Sequence, residues 1–194
     1  MPSVYQLKPA FQRLLRPLVS QLARLGVTAN QVTVLTCLVS VALGLHLAFR
    51  NGPWAALPVW LFLRMALNAI DGILAREHGQ ASRLGAVLNE LTDVIADAAL
   101  LLPFAYLPGW NPLWVAIVAL LAALTEFTSV TGQALTGSRR NDGPMGKSDR
   151  ALLQGALGTW LALGHIPHPL LAPAMAALLL LTIANRLRHI LAAA

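Results

Sequence analysis

The chain has 194 residues, a net charge of +6, 57% hydrophobic residues and only 11% charged ones, with a mean hydropathy of +0.64. That composition excludes an ordinary water-soluble domain and indicates one integral membrane domain. The positive balance is no nucleic-acid signature, because the basic residues gather in polar segments between apolar runs, and the single Cys37 excludes an intramolecular disulfide.

Residues 4–25 alternate Lys8, Arg13, Arg16 and Arg24 with leucine, valine and phenylalanine at roughly helical spacing. This pattern predicts an amphipathic helix lying in the membrane interface, with Pro17 as a bend point; the alternative is a solvated arm. The first apolar run follows this arm without a convincing cleavage site, so no cleaved leader is expected. Six spans are predicted, over residues 32–49, 54–70, 83–105, 113–135, 151–163 and 170–184. Thr28 or Asn30 caps the first, and Arg50-Asn51-Gly52-Pro53 turns the chain into the second, which continues past Asp71 to about Arg76. The segment 77–82 is a polar connection, 107–112 a turn with an interfacial Trp110, and 136–150 the longest polar loop. The fifth span is short and can start inside that loop. His165 and His168 sit in the next turn, and the chain ends in a basic tail with Arg186, Arg188 and His189. The predicted fold is therefore all-α and polytopic: a single domain over 1–194, with an amphipathic arm over 1–28 and a six-helix bundle over 29–194.

An even number of spans puts both termini on one side. Of the fourteen lysines and arginines, twelve then share that side, Arg50 lies opposite and Arg64 falls inside a span. The positive-inside rule places both termini, the 72–83 connection and the 139–150 loop in the cytoplasm, for a protein of the inner membrane.

Residues 68–97 hold five of the eight acidic residues. A charge at bilayer depth costs roughly 2.5–3.5 kcal/mol on insertion scales, so intramembrane carboxylates mark function by default. On a helix Arg64, Asn68, Asp71 and Ala75 share an arc of roughly 60°, and Asn89, Glu90, Asp93 and Asp97 one of about 100°. Facing each other across a short turn, the two arcs present only oxygen donors from carboxylates and amides. Mg²⁺ takes such ligands together with substrate phosphates. Gly72, Ala75 and Gly85 keep the same faces small, as close approach of a ligand or helix requires. Arg76 is placed to pair with a carboxylate or phosphate.

The stretch reads N-x2-D-G-x2-A-R-x8-G-x3-N-x3-D, from Asn68 to Asp93. It resembles the signature of the CDP-alcohol phosphatidyltransferase family, D-x2-D-G-x2-A-R-x8-G-x3-D-x3-D. The resemblance implies a membrane enzyme of phospholipid synthesis, of EC class 2.7.8. Such an enzyme transfers a phosphatidyl group from CDP-diacylglycerol to an alcohol, releases CMP and uses Mg²⁺ or Mn²⁺, as one or two ions. By resemblance Asn68, Asp71, Asn89 and Asp93 are the metal-site positions, Asp93 is the general base, and Gly72, Ala75, Arg76 and Gly85 border the CDP phosphates. Two motif aspartates are asparagines here. For Glu90 and Asp97, outside the motif but on the same arc, either one of them restores the missing charge at the metal, or Glu90 pairs with Arg64 or Arg76 and Asp97 with another intramembrane group. The family often forms homodimers, which makes a homodimer the candidate assembly.

Arg139, Arg140, Lys147 and Arg150 form a second cluster. Its Gly-Lys-Ser element lacks the strand and spacing of a phosphate-binding loop. Either it touches anionic head groups or it clamps an acceptor or CDP phosphate. Thr28-Ala29-Asn30-Gln31 resembles a short family element before the first span, and a helix cap is its plainer reading. Glu126 lines the cavity or pairs with a basic residue. Competing functions are a non-catalytic CDP-lipid or nucleotide binder and a cation transporter, though no inverted repeat supports the latter.

Overall fold

The computed structural model describes residues 7–50 and 52–193. Residues 4–6 of the expected amphipathic helix, and Asn51 of the expected turn, lie outside the described residues. The described part holds seven α-helices: α1 Leu7–Arg24, α2 Ala29–Arg50, α3 Ala56–Glu77, α4 Arg83–Leu101, α5 Pro112–Thr136, α6 Lys147–Ala162 and α7 Leu171–Ala193. A 3₁₀ segment, Leu102–Tyr106, extends α4. Pro103 explains the change of helix type, since proline cannot donate the backbone bond that would continue the α-helix.

The helix ends follow local chemistry. Thr28 Oγ1 accepts from the Gln31 amide at 3.3 Å, and Gln31 Oε1 accepts from the Thr28 amide at 2.9 Å. This reciprocal pair caps α2. Ser82 accepts from the Gly85 amide at 3.0 Å to open α4, and Asn111 accepts from the Leu113 amide at 2.9 Å to open α5. Gly137 ends α5 in the left-handed conformation. Two boundaries bear on expectation, the first meeting it and the second departing from it. α6 begins at Lys147 inside the polar loop, where Asp149 accepts from the Gly146 amide at 2.9 Å. The expected basic tail is instead the last two turns of α7, because Arg186 and Ile190 are buried against α5 and its loop.

Four helices, α2, α3, α5 and α7, are long and apolar enough to cross a membrane by length and composition. α4 and α6 fall outside that group. α4 carries Glu90, Asp93 and Asp97, and α6 has 16 residues with three charges in its first turn. The expected count of six spans therefore does not follow from hydropathy alone.

α2 packs against α3 and most extensively against α4, while α5 packs on α7 and α3 on α6. The main core runs from Leu47, Leu57 and Leu61 through Leu100 and Phe104 to Val115, Val118 and Leu179. A smaller cluster seats α1, whose fully buried Val19 packs with Val32, Ile70, Ile73 and Leu74. A bidentate Arg16–Glu77 pair, with contacts of 2.9 and 3.0 Å, ties α1 to the end of α3. Leu14 and Leu18 of α1 stay exposed, as an interfacial helix requires. Trp60 donates to Ser40 at 2.9 Å between α3 and α2.

Gly44 fixes the α2–α4 crossing. A β-carbon there would stand 2.0 Å from the Ala99 carbonyl oxygen, a backbone atom that cannot step aside. Gly44→Val is expected to lower stability by about 1–3 kcal/mol, the usual cost of overpacking, seen as a lower Tm in detergent. An unchanged Tm contradicts the close crossing.

Candidate active site

The C-terminal half of α3 and the middle of α4 face each other, with α2 closing one side and α5, α6 and their loop the other. Asp71 is 6% exposed and accepts from Thr33 of α2 at 2.9 Å. One turn earlier on α3, the Asn68 amide stands 3.5 Å from Asp93 Oδ1 of α4. Asn89 is half-buried one turn before Asp93. The four motif positions thus occupy successive turns of two neighbouring helices. Gly85 and Gly72 each lie under a neighbouring side chain. A β-carbon on Gly85 would fall 2.7 Å from Asn30 Oδ1, and one on Gly72 would fall 2.8 Å from the Arg76 guanidinium, which folds back over that glycine. Ala75 lies one turn beyond Asp71 and is half-buried.

Around this set runs an unbroken sequence of alternating charges. Glu90 holds Arg139 through two bonds of 2.5 and 2.9 Å. Arg139 reaches Glu126 at 3.6 Å, and Glu126 meets Arg150 at 2.9 Å. Arg150 meets Asp97 at 2.9 Å, and Asp97 meets Arg64 at 2.5 Å. Arg64 lies 3.3 Å from Asp93, whose other oxygen contacts the Lys147 ammonium. Each of the four carboxylates in the sequence has a cation beside it. The inner members are the most enclosed: the side chains of Arg64 and Arg150 are 5% and 2% exposed. Glu90 and Asp97 are thus engaged by arginines, and the partner of Glu90 is Arg139 rather than Arg64 or Arg76. Hydrogen bonding to Glu90 raises the pKa of Arg139 above arginine's ordinary value.

Arg139, Lys147 and Arg150 all enter this network. Arg140 contacts no carboxylate among the described residues; its backbone carbonyl accepts from Ser129 at 2.6 Å. Arg186 is 1% exposed and donates to the carbonyls of Thr125 and Asp142 at 2.5 and 3.0 Å. Sequence reasoning left Arg186 in a tail. The signal was there, since Arg186 continues an apolar helical run. Thr33 was also missed; it lies one helical turn after the predicted cap.

The donor set suits a hard divalent cation. Asp71 and Asp93 supply charge, while Asn68 and Asn89 supply neutral carbonyl oxygens, and the ammonium against Asp93 shows that this corner accommodates positive charge. No group of three His, Cys, Asp or Glu side chains among the described residues forms a metal cluster. A metal here depends on the amides and on substrate phosphates.

The sequence and the fold both have counterparts. The CDP-alcohol phosphatidyltransferase family model matches residues 26–191. The chain is 45% identical to the inner membrane protein YnbA of Escherichia coli (strain K12), over 97% of this chain and 96% of that protein. It is 33% identical to phosphatidylinositol phosphate synthase of Mycobacterium tuberculosis, over 70% of this chain and 64% of that enzyme. A crystal structure of the latter with CDP-DAG bound superposes with a TM-score of 0.77 at 26% identity, over 92% of this chain and 94% of that one. Another, in complex with manganese and citrate, gives a TM-score of 0.73 at 24% identity and bears on the fold alone. With its motif spacing, helical fold and family match in agreement, this membrane protein belongs to the CDP-alcohol phosphatidyltransferase family.

Proposed function

We propose that the protein transfers the phosphatidyl group of CDP-diacylglycerol to an alcohol hydroxyl and releases CMP. The observation that carries this reading is the motif residues gathering on α3 and α4, with Asp71 one turn from Asn68 and the Asn68 amide 3.5 Å from Asp93 Oδ1. The donor comes from the relative whose structure holds CDP-DAG. Beside Gly85, the exposed face of α2 that carries Val34, Leu35 and Leu38 is apolar enough for acyl chains.

The acceptor oxygen forms a bond to the lipid-side phosphorus. The anhydride P–O bond to the cytidine-side phosphate breaks, and its electron pair leaves on CMP. The acceptor proton passes to Asp93, whose Oδ2 contacts the one-third exposed Lys147 side chain and can exchange that ammonium for a hydroxyl. Arg64 and Asn68 hold the other oxygen of Asp93 and so fix its orientation. Asp71, kept in place by Thr33, would hold a divalent ion together with Asn68, Asn89 and Asp93. Such an ion, Mg²⁺ or Mn²⁺, offsets pyrophosphate charge when bound. Arg76 and the small positions Gly72, Ala75 and Gly85 leave room for the CDP phosphates and one guanidinium toward them.

α4 and α6 complete a six-span layout with α2, α3, α5 and α7. Their charges are satisfied inside the bundle, which removes the hydropathy objection to their spanning. Both termini and the site then face the cytoplasm of an inner-membrane protein by the positive-inside rule, as a single domain with α1 in the interface. A homodimer fits the family's habit.

Purified protein given CDP-diacylglycerol, Mg²⁺ or Mn²⁺ and an acceptor alcohol is expected to release CMP. Chelation should abolish release, and adding either ion back should restore it. Asp93→Asn is expected to lower kcat by about 10²–10⁴, the range for a lost general base, in protein that still folds, with a lower Tm from the lost pairing to Arg64 and Lys147. Full turnover by this variant excludes Asp93 as the base. Asp71→Asn should raise the metal concentration needed for half-maximal rate; an unchanged requirement removes Asp71 from the metal site.

A further inference from the structure

Resting on the transferase reading, we propose that the acceptor is an uncharged alcohol, not a phosphorylated one. The sequence offers Arg139, Arg140, Lys147 and Arg150 as an acceptor-phosphate clamp, and the fold adds Arg186. The charges of Arg139 and Arg150 are already answered. Arg139 is shared by Glu90 and Glu126, Arg150 by Asp97 and Glu126, and Lys147 lies on Asp93. Arg186 gives two of its donors to the carbonyls of Thr125 and Asp142 and is 1% exposed. Arg140 and Arg186 have no carboxylate partner among the described residues.

A phosphomonoester brings about −1.5 to −2 charges near neutral pH and three strong acceptor oxygens. Binding one here means stripping Arg139 and Arg150 from Glu126. That leaves a carboxylate 10% exposed without a partner and beside the incoming anion, and both changes are unfavourable. A neutral hydroxyl raises neither difficulty. The Nε atoms of Arg64, Arg140 and Arg150 are buried with no acceptor. Glu126 is therefore the positioning residue that sets acceptor class, by occupying the two guanidiniums a phosphate would need.

The test has a binding arm and a turnover arm. In the first, purified protein is titrated with inorganic phosphate and with glycerol 3-phosphate by calorimetry. The parent is expected to show no saturable binding up to about 1 mM, and Glu126→Gln and Glu90→Gln are expected to acquire it. Glu90 is about one-third exposed, so its variant should fold even where the Glu126 variant does not. In the second, CMP release from CDP-diacylglycerol is compared for glycerol against glycerol 3-phosphate and for inositol against inositol phosphate. The neutral member should win by at least about tenfold in kcat/KM. Saturable phosphate binding by the parent, or preference for the phosphorylated member, overturns the proposal. Absence of CMP release with every acceptor contradicts the transferase reading, and the binding arm then decides the anion question by itself.

Discussion

The carboxylate of Asp97, held between Arg64 and Arg150, is the interaction on which the rest of the structure depends. A bundle cannot bury ionised side chains in a low-dielectric interior unless each finds an opposite charge or a strong hydrogen bond. Asp97 meets that requirement by joining α3, α4 and α6. Arg150 then passes the connection to Glu126 on α5, and Arg139 returns it to Glu90 on α4. Removing one member exposes two neighbours, so the network tolerates little independent change. It also places Asp93. The guanidinium that neutralises Asp97 is the one that lies 3.3 Å from Asp93. Structural charge pairing and the geometry of the proposed base are therefore one arrangement.

Asn68 and Asn89 fit the same logic. Two amides in place of two carboxylates lower the negative charge of the site by two. Two further carboxylates, Glu90 and Asp97, lie on the same face of α4, and both are neutralised by arginines. The site keeps an all-oxygen donor set with modest net charge, and Lys147 occupies a corner of it. Family membership and the proposed transfer reaction are compatible with this, because amide carbonyls still ligate hard cations and substrate phosphates supply the missing charge.

Much of this was legible in the sequence. The motif from Asn68 to Asp93 named the facing turns of α3 and α4 before any coordinates. The apolar runs located α2, α3, α5 and α7, because hydropathy reads spans that lie in lipid without internal polarity. α4 and α6 were harder, since their charges are satisfied by tertiary partners that no local window contains. The Glu90–Arg139 and Arg150–Asp97 pairs join residues 49 and 53 positions apart. Pattern along one helix shows which face a residue occupies, not what stands opposite. Arg186 was misplaced for a similar reason. Its helix continues past the apolar run, and only the carbonyls of Thr125 and Asp142 justify burying it there. The Thr28–Gln31 cap was readable because both partners lie within one turn.

The measurement that tests the central claim most directly is a double-mutant cycle on Asp97 and Arg150. Unfolding free energies would be taken in one detergent for the parent, Asp97→Asn, Arg150→Gln and the double variant. If these two charges join α4 to α6, each single change leaves a buried partner uncompensated. The double change should then cost less than the sum by about 0.5–3 kcal/mol, the coupling expected of residues in one network. Strictly additive losses would show that the two side chains act independently, and would contradict an account in which one ion-pair network both holds the bundle together and positions its site.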